Sequence, residues 1–337
     1  MKAAVVGCGG MGRVHALAYA GMPDVQLTGV CDVNAGLARQ LGELAGVPSF
    51  DSFDLLLAEA EFDVVSLTLP SHLHREYTIK AADAGKHIIC EKPIALSSED
   101  AKAMIDYCAE RGVRLLIGHV VRFFPDYRHM HSVVTAGKLG RIGTLHAKRM
   151  GGHPGEAKPW FKDMSLSGGV IADLMIHDID FVRWTLGDIK SVYALGRTSE
   201  LFDYASVTLV AESGAVANLE ACWGYPAPFF TAMEIAGSEG VVRADSRKTS
   251  SLHIRQTADP ATGRSYVEKT DSPLYEGVYE RELNHFISCL RTGAEADVTA
   301  DDALKAVEIV EAALKSLSTG QAVYMQQQST ASKEETP

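Results

Sequence analysis

A chain of 337 residues exceeds the roughly 250 to 300 residues that one hydrophobic core usually serves, so two domains are expected. Hydrophobic residues at 46% and charged residues at 22% mark a globular protein and exclude a fibrous or disordered chain. A net charge of -11 without any long basic cluster argues against nucleic acid or an anionic membrane as partner, because both need Lys and Arg to neutralise phosphates.

The chain enters a strand pattern at once with MKAAVVG, and no charged segment leads into an apolar signal-like stretch. No apolar run approaches the roughly 18 residues that span a bilayer, so a cytoplasmic protein is expected. Cys8, Cys31, Cys90, Cys108, Cys222 and Cys289 are scattered, several lie in apolar runs, and no CxxC pair occurs. They read as core residues of a reducing compartment, not as disulfides or a zinc site.

Short apolar runs at 2–7, 25–32, 64–70, 87–91 and 114–120 read as strands, and 11–21, 34–45, 73–84 and 97–111 between them as helices. This alternation predicts a doubly wound parallel sheet over 1–121. A helical piece at 125–137, a strand candidate at 141–150 and a Gly/Pro-rich loop from Gly151 to Trp160 follow. Residues 168–180 then predict a helix, and 203–211, 215–223, 230–237 and 240–246 alternate as strands of a largely antiparallel sheet with one solvated or partner-covered face. An amphipathic helix is expected at 301–318, with Asp301 and Asp302 at its positive end. The second domain is thus expected at 122–325, with α+β composition. A polar tail at 326–337 lacks the apolar residues for a packed structure.

The first turn carries the most specific motif. Gly7, Gly9 and Gly12 form G-x-G-x-x-G between a strand and a helix, with Gly10 and Met11 at the helix start. Gly7 permits the tight turn, Gly9 lets backbone approach a pyrophosphate, and Gly12 lets helix and strand pack closely. The helix N-terminus then meets the anion. Asp32, about twenty residues beyond Gly12, is suited to a ribose 2′-hydroxyl, and its charge favours NAD over NADP. A ligand-free glycine turn with a strand-terminal Asp is the plain alternative.

Two further stretches carry polar groups where apolar ones would serve. Glu91, Lys92 and Pro93 end a presumed parallel strand, at the sheet edge where such folds bind ligands. Residues 168–180, GGVIADLMIHDID, set Asp173, His177 and Asp180 within about 60° of one another on a helix of about 100° per residue. A lysine there can be a solvated strand cap, and a lone acidic and imidazole stripe can merely satisfy buried backbone.

Together these motifs resemble the Gfo/Idh/MocA family, which includes glucose-fructose oxidoreductase and inositol dehydrogenase, and the match runs in order through nearly the whole chain. The resemblance implies a Rossmann domain followed by a domain with a large, mostly antiparallel sheet whose open face commonly mediates dimers or tetramers. It implies NAD- or NADP-dependent redox chemistry on sugars, polyols or cyclitols. Lys92 matches the family's catalytic lysine, and Asp173 and His177 match the acidic and histidine positions of its helix. Thr68, Pro70 and His74 match a loop along the nicotinamide half of the cofactor, and Trp160 an aromatic near the substrate.

Oxidation of a secondary alcohol passes a hydride to nicotinamide and a proton to a base. His177 is the candidate base, since imidazole titrates near neutrality. Lys92 would hydrogen-bond the reacting oxygen, and Asp173 would bind a substrate hydroxyl or orient these groups. Asp180 reads as structural. Arg122, His153 and Tyr275 are further candidates for substrate contact, and His15 for the cleft, each with a packing or surface role as the alternative. Asp and His at i, i+4 can chelate a metal, but no thiolate or second histidine at ligand spacing joins them, so none is expected. The competing functions are a glycosidase of the same fold that uses NAD transiently and a non-catalytic dinucleotide-binding sensor.

Overall fold

The computed structural model describes residues 1–248 and 277–325, with the backbone of two short strands between them. The first sheet is built from β1 (Lys2–Val6), β2 (Gln26–Cys31), β3 (Ser49–Phe50), β4 (Val64–Leu67), β5 (His87–Glu91) and β6 (Leu115–Gly118). All neighbours are parallel, in the order β3-β2-β1-β4-β5-β6. β1 pairs with both β2 and β4, so the chain winds outward in opposite directions from it. Beyond the carboxyl ends of β1 and β4 this reversal leaves a crevice.

Helices cover both faces: α1 (Gly10–Gly21), α2 (Ala35–Ala45), α3 (Phe53–Glu59), α4 (His74–Asp83) and α5 (Ser98–Glu110). That double cover is why β4 and β6 are buried at every position and read as continuous apolar runs. Asn34 caps α2 by accepting from the N–H groups of Gly36 and Leu37, and Ser97 caps α5 through the N–H of Asp100.

A short 3₁₀ turn, Val120–Phe123, and α6 (Pro125–Thr135) lead to the second sheet. Its strands are β7 (Ile142–Gly151), β8 (Ile189–Ser199), β9 (Phe202–Ala211), β10 (Val216–Trp223), β11 (Phe230–Gly237) and β12 (Val241–Asp245), with the edge strand Val323–Tyr324 last in the chain. The order is β12-β11-β7-β10-β9-β8 and then the edge strand; only β7 and β10 run parallel. Alternate residues of β9 are buried, so one face packs inward and the other is open. The inner face is covered by α8 (Ile176–Leu186), which follows α7 (Met164–Ser167), and by α10 (Ala300–Thr319). β13 (Ile254–Gln256) and β14 (Val267–Lys269) pair separately. α9 (Val278–Thr292) returns to the first sheet and packs on α1, with Leu283 and Phe286 in one core with Ala16 and Tyr19. We number the final edge strand β15.

Both sheets are present, but several elements lie outside the sequence reading: β3, α3, β8 and α9 were not expected. The loop from Gly151 contains two 3₁₀ turns and α7. The helix expected at 168–180 is interrupted: Ile171–Met175 is a π-helical turn, and regular α-helix begins at Ile176. The polar tail at 326–337 lies outside the described residues. All six cysteines are free and buried.

One buried ion-pair network ties the sheets together. Arg122, 2% exposed, donates from Nε and Nη2 to Asp180 at 2.9 and 2.6 Å and from Nη1 to Asp302 at 3.1 Å. Asp302 also closes a capping box with Thr299 and pairs with Arg183, so it does more than cap α10. Removing one member strands a buried charge. Arg122→Ala is therefore expected to lower stability by about 3–5 kcal/mol in urea unfolding; a loss below about 1 kcal/mol would refute the network's role.

Candidate active site

The glycine loop forms the crevice floor at the end of β1. Gly7 has φ +96°, and a Cβ there would lie 2.6 Å from the carbonyl oxygen of Thr68. A Cβ on Gly12 would lie 1.7 Å from the carbonyl oxygen of Gly7, so both positions require glycine for space. At Gly9 and Gly10 a Cβ would meet no heavy atom within 4 Å, because both face the open cavity. α1 begins at Gly10, and its cap residue Gly9 has no side chain to satisfy the N–H groups of the first turn. Those donors, Met11 among them, suit a pyrophosphate. At the rim, Asp32 accepts from the N–H of Cys8 at 2.7 Å and of Asn34 at 2.8 Å, which fixes its carboxylate where a ribose would lie. Thr68 closes the turn by donating to the carbonyls of Val6 and Gly7.

From this floor a cavity of about 510 Å³ runs past Thr68, Pro70 and Glu91 to Lys92, Asp173 and His177. β5 delivers Lys92 at its carboxyl end. Lys92 Nζ donates to the carbonyl oxygen of Asp173 at 2.7 Å and to Asp173 Oδ1 at 2.9 Å. Asp173 sits in the π-helical turn, where the ladder shifts to i→i+5 and such turns recur at functional sites. His177, in the first turn of α8, borders the cavity while its Nδ1 is buried without a protein hydrogen bond. Burial pushes its pKa well below the ordinary 6.5, and the charges of Lys92 and Arg149 add to the effect. Arg149 is itself engaged with Asp178 through two bonds of 2.9 Å.

Glu91 lines the same cavity at 8% exposure, and its Oε1 lies 3.1 Å from His15 Nε2. Burial raises its carboxyl pKa, but the hydrogen bond and charge of His15, with Lys92 beyond, outweigh this and hold it below the ordinary value. Trp160 lines the cavity mouth and stacks on Phe161 at 3.8 Å between centroids.

Other predicted residues fall elsewhere. His74 is fully buried and braces the loop from outside, its ring nitrogens 2.8 Å from the carbonyl of Pro93 and 3.0 Å from that of Leu69. Arg122 is not a substrate contact, because its guanidinium is consumed by Asp180 and Asp302. Asp180 faces that arginine and does not line the cavity. His153 caps a 3₁₀ turn through the N–H of Gly155 and packs edge-on to Trp223. Trp223 is core, whereas Trp184 is half-buried and stacks on His131. Tyr275 lies outside the described residues. Lys158, Phe161 and Tyr279 line the cavity without having been read from the sequence. Tyr279 comes from α9, nearly 190 residues along the chain from Glu91, so no local motif marks it.

A doubly wound sheet whose switch point carries this glycine loop and acidic rim, opening onto a lysine, a carboxylate and a neutral imidazole, defines a nicotinamide-dependent oxidoreductase. Residues 1–119 match the model of the oxidoreductase family with an NAD-binding Rossmann fold, and residues 127–243 match the GFO/IDH/MocA C-terminal domain. The chain belongs to the Gfo/Idh/MocA family. It is 30% identical to the inositol 2-dehydrogenase of Rhizobium meliloti (strain 1021), over 93% of this chain and 96% of that protein. It is also 30% identical to the scyllo-inositol 2-dehydrogenase (NAD(+)) of Bacillus subtilis (strain 168), over 96% of each. Among solved structures, GenD2 from gentamicin A biosynthesis in complex with NAD superposes with a TM-score of 0.87 at 25% identity, covering 97% of this chain and 96% of that one. The protein is an NAD-dependent dehydrogenase acting on CH–OH groups.

Two outcomes follow from this geometry. Asp32→Ser with Val33→Arg removes the repulsion of a 2′-phosphate and supplies a guanidinium, so the NADP-to-NAD ratio of kcat/KM is expected to rise at least about tenfold. An unchanged ratio would contradict the role of Asp32. His177 must be unprotonated to accept a proton, and its depressed pKa keeps it so through neutrality. The kcat/KM for alcohol oxidation is therefore expected to fall only as pH drops well below 6.5. An acid limb centred at or above that value would exclude His177 as the base.

Proposed function

We propose that the protein oxidises a ring secondary alcohol of a cyclitol, polyol or sugar, with inositols as the first substrates to test. The observation that carries this reading is the convergence of Lys92, Asp173 and His177 at one end of the cavity that begins at the glycine loop. Bound NAD supplies the hydride acceptor. His177 receives the hydroxyl proton at Nε2, because Nδ1 is turned into the protein. Lys92 Nζ hydrogen-bonds the reacting oxygen and stabilises the negative charge that develops on it. Asp173 holds Lys92 in place through two acceptors and leaves carboxylate capacity for a neighbouring substrate hydroxyl. The stacked Trp160 and Phe161 offer an apolar wall to the C–H face of a ring.

The activities in the names of the two inositol dehydrogenases support the substrate class. We assign residues 1–121 to cofactor binding and 122–325 to substrate binding and self-association. The open face of the second sheet, with alternate residues turned outward, is the surface proposed to form a homodimer or homotetramer. Six free, buried cysteines are consistent with a cytoplasmic location.

The test is a screen of inositols, aldoses and their derivatives with NAD, following NADH absorbance. Steady NADH formation is expected with at least one cyclitol or sugar. Release of a leaving group from a glycoside without NADH would favour the transient-redox reading instead. With the substrate found, Lys92→Ala and His177→Ala are each expected to reduce kcat by about 10²- to 10⁴-fold while NAD binding persists. Full activity in both variants would sink the mechanism.

A further inference from the structure

Asp203, the second residue of β9, is buried outside the cavity, and the mechanism makes no use of it. Its Oδ2 accepts from the N–H of Val170 at 2.8 Å, and its Oδ1 from the hydroxyl of Thr198 in β8 at 2.9 Å. Val170 is 1% exposed and caps the π-helical turn, three positions before Asp173. A donor so enclosed needs a protein acceptor, and a carboxylate makes the stronger, charge-assisted bond. Gly169 lets the two approach, because a Cβ there would lie 3.0 Å from Asp203 Oδ2.

The same turn is joined to the aromatic wall of the cavity. Ser167, 0% exposed, accepts from the N–H of Gly169 at 3.2 Å and donates to the carbonyl of Asp163 at 3.0 Å. Across the sheet Asp203 pairs with Trp223 of β10, whose ring meets Phe161 edge-on at 5.3 Å. Phe161 and Asp173 both line the cavity. Ser167 belongs to the same stretch of chain as the turn and moves with it. Asp203 belongs to the sheet, and a group carried by a loop is held accurately only when a rigid element holds it.

We propose that Asp203 is a positioning residue for the dehydrogenase reaction: anchored in the second sheet, it holds the start of the π-helical turn so that the carbonyl and carboxylate of Asp173 meet Lys92 Nζ. Without it the turn lifts and Lys92 loses both acceptors. The glycine loop belongs to the other sheet and keeps its shape, so the loss falls on the chemical step and not on NAD binding. This rests on the reading of Lys92 and Asp173 as parts of the reaction site.

The first measurement needs no substrate. Lys92 is acetylated with trace acetic anhydride and its rate read by mass spectrometry in the wild type, Asp203→Leu, Asp203→Ala and Asp203→Asn, with thermal melts to confirm folding. A lysine freed from two acceptors is open to the reagent, so Asp203→Leu, or Asp203→Ala should the leucine not fold, is expected to raise the rate at least about fivefold. Asp203→Asn keeps an oxygen for Val170 and turns its amide to the Thr198 hydroxyl, which can accept, so it is expected to stay within about twofold of wild type. The second measurement is turnover of myo-inositol and scyllo-inositol, with the Kd for NAD from calorimetry. Asp203→Leu is expected to lower kcat about 10- to 100-fold and leave the Kd for NAD within about twofold, whereas Asp203→Asn stays within about threefold in kcat. A purely structural role lowers the melting temperature and leaves the Lys92 rate and the kcat of folded enzyme unmoved, which overturns the proposal; so does an asparagine variant as impaired as the leucine one. A wild type inactive on both inositols overturns the substrate reading alone, and the acetylation rate then decides on Asp203.

Discussion

The contact between Lys92 Nζ and the main-chain carbonyl of Asp173, at 2.7 Å, is the interaction on which the geometry of the site depends. It joins the end of a strand in the first sheet to the π-helical turn that covers the second. Each half alone presents an incomplete set: the first has the glycine loop and a lysine, the second a carboxylate and an imidazole. A lysine at a strand end is ordinarily a long, mobile side chain. Here two acceptors on one residue fix it, and its charge then acts on His177 at the next turn. Positioning and electrostatic tuning are consequences of one contact.

That contact falls within the π-turn. Over Ile171–Met175 the hydrogen-bond ladder steps from i+4 to i+5. Beyond it the regular helix carries residues with two different tasks. Asp173 and His177 border the cavity, while Asp180 turns to Arg122 and the network that fastens α8 to α10. Chemistry and structural support are thus divided along one helix.

How far the sequence discloses this depends on whether the physical cause is local. Gly7, Gly12 and Asp32 are legible because a tight turn, a close helix approach and a strand-terminal carboxylate each act within one βα unit. The strands β1, β4 and β5 are legible because burial on both faces demands unbroken apolar runs. The π-turn has no residue signature, and helical spacing alone grouped Asp180 with Asp173 and His177, because its partner Arg122 is remote in sequence. His74 matched a loop motif by position, yet its ring points away from the cavity into carbonyls of Leu69 and Pro93. Arg122 was ambiguous because its partners, Asp180 and Asp302, come from distant segments. The same distance hid Tyr279, whose helix packs on α1.

The charges around the cavity are divided by side. Around His177 lie Lys92 and the Arg149–Asp178 pair, whose guanidinium depresses the imidazole while its carboxylate is already spoken for. Around Glu91 lie His15 and Lys92, which hold its carboxyl below the ordinary value against the pull of burial. In an alcohol oxidation the proton leaves toward a neutral base, and a positive field steadies the incipient alkoxide. Because one β-strand end supplies both Glu91 and Lys92, the two fields are fixed by adjacent residues and cannot drift apart.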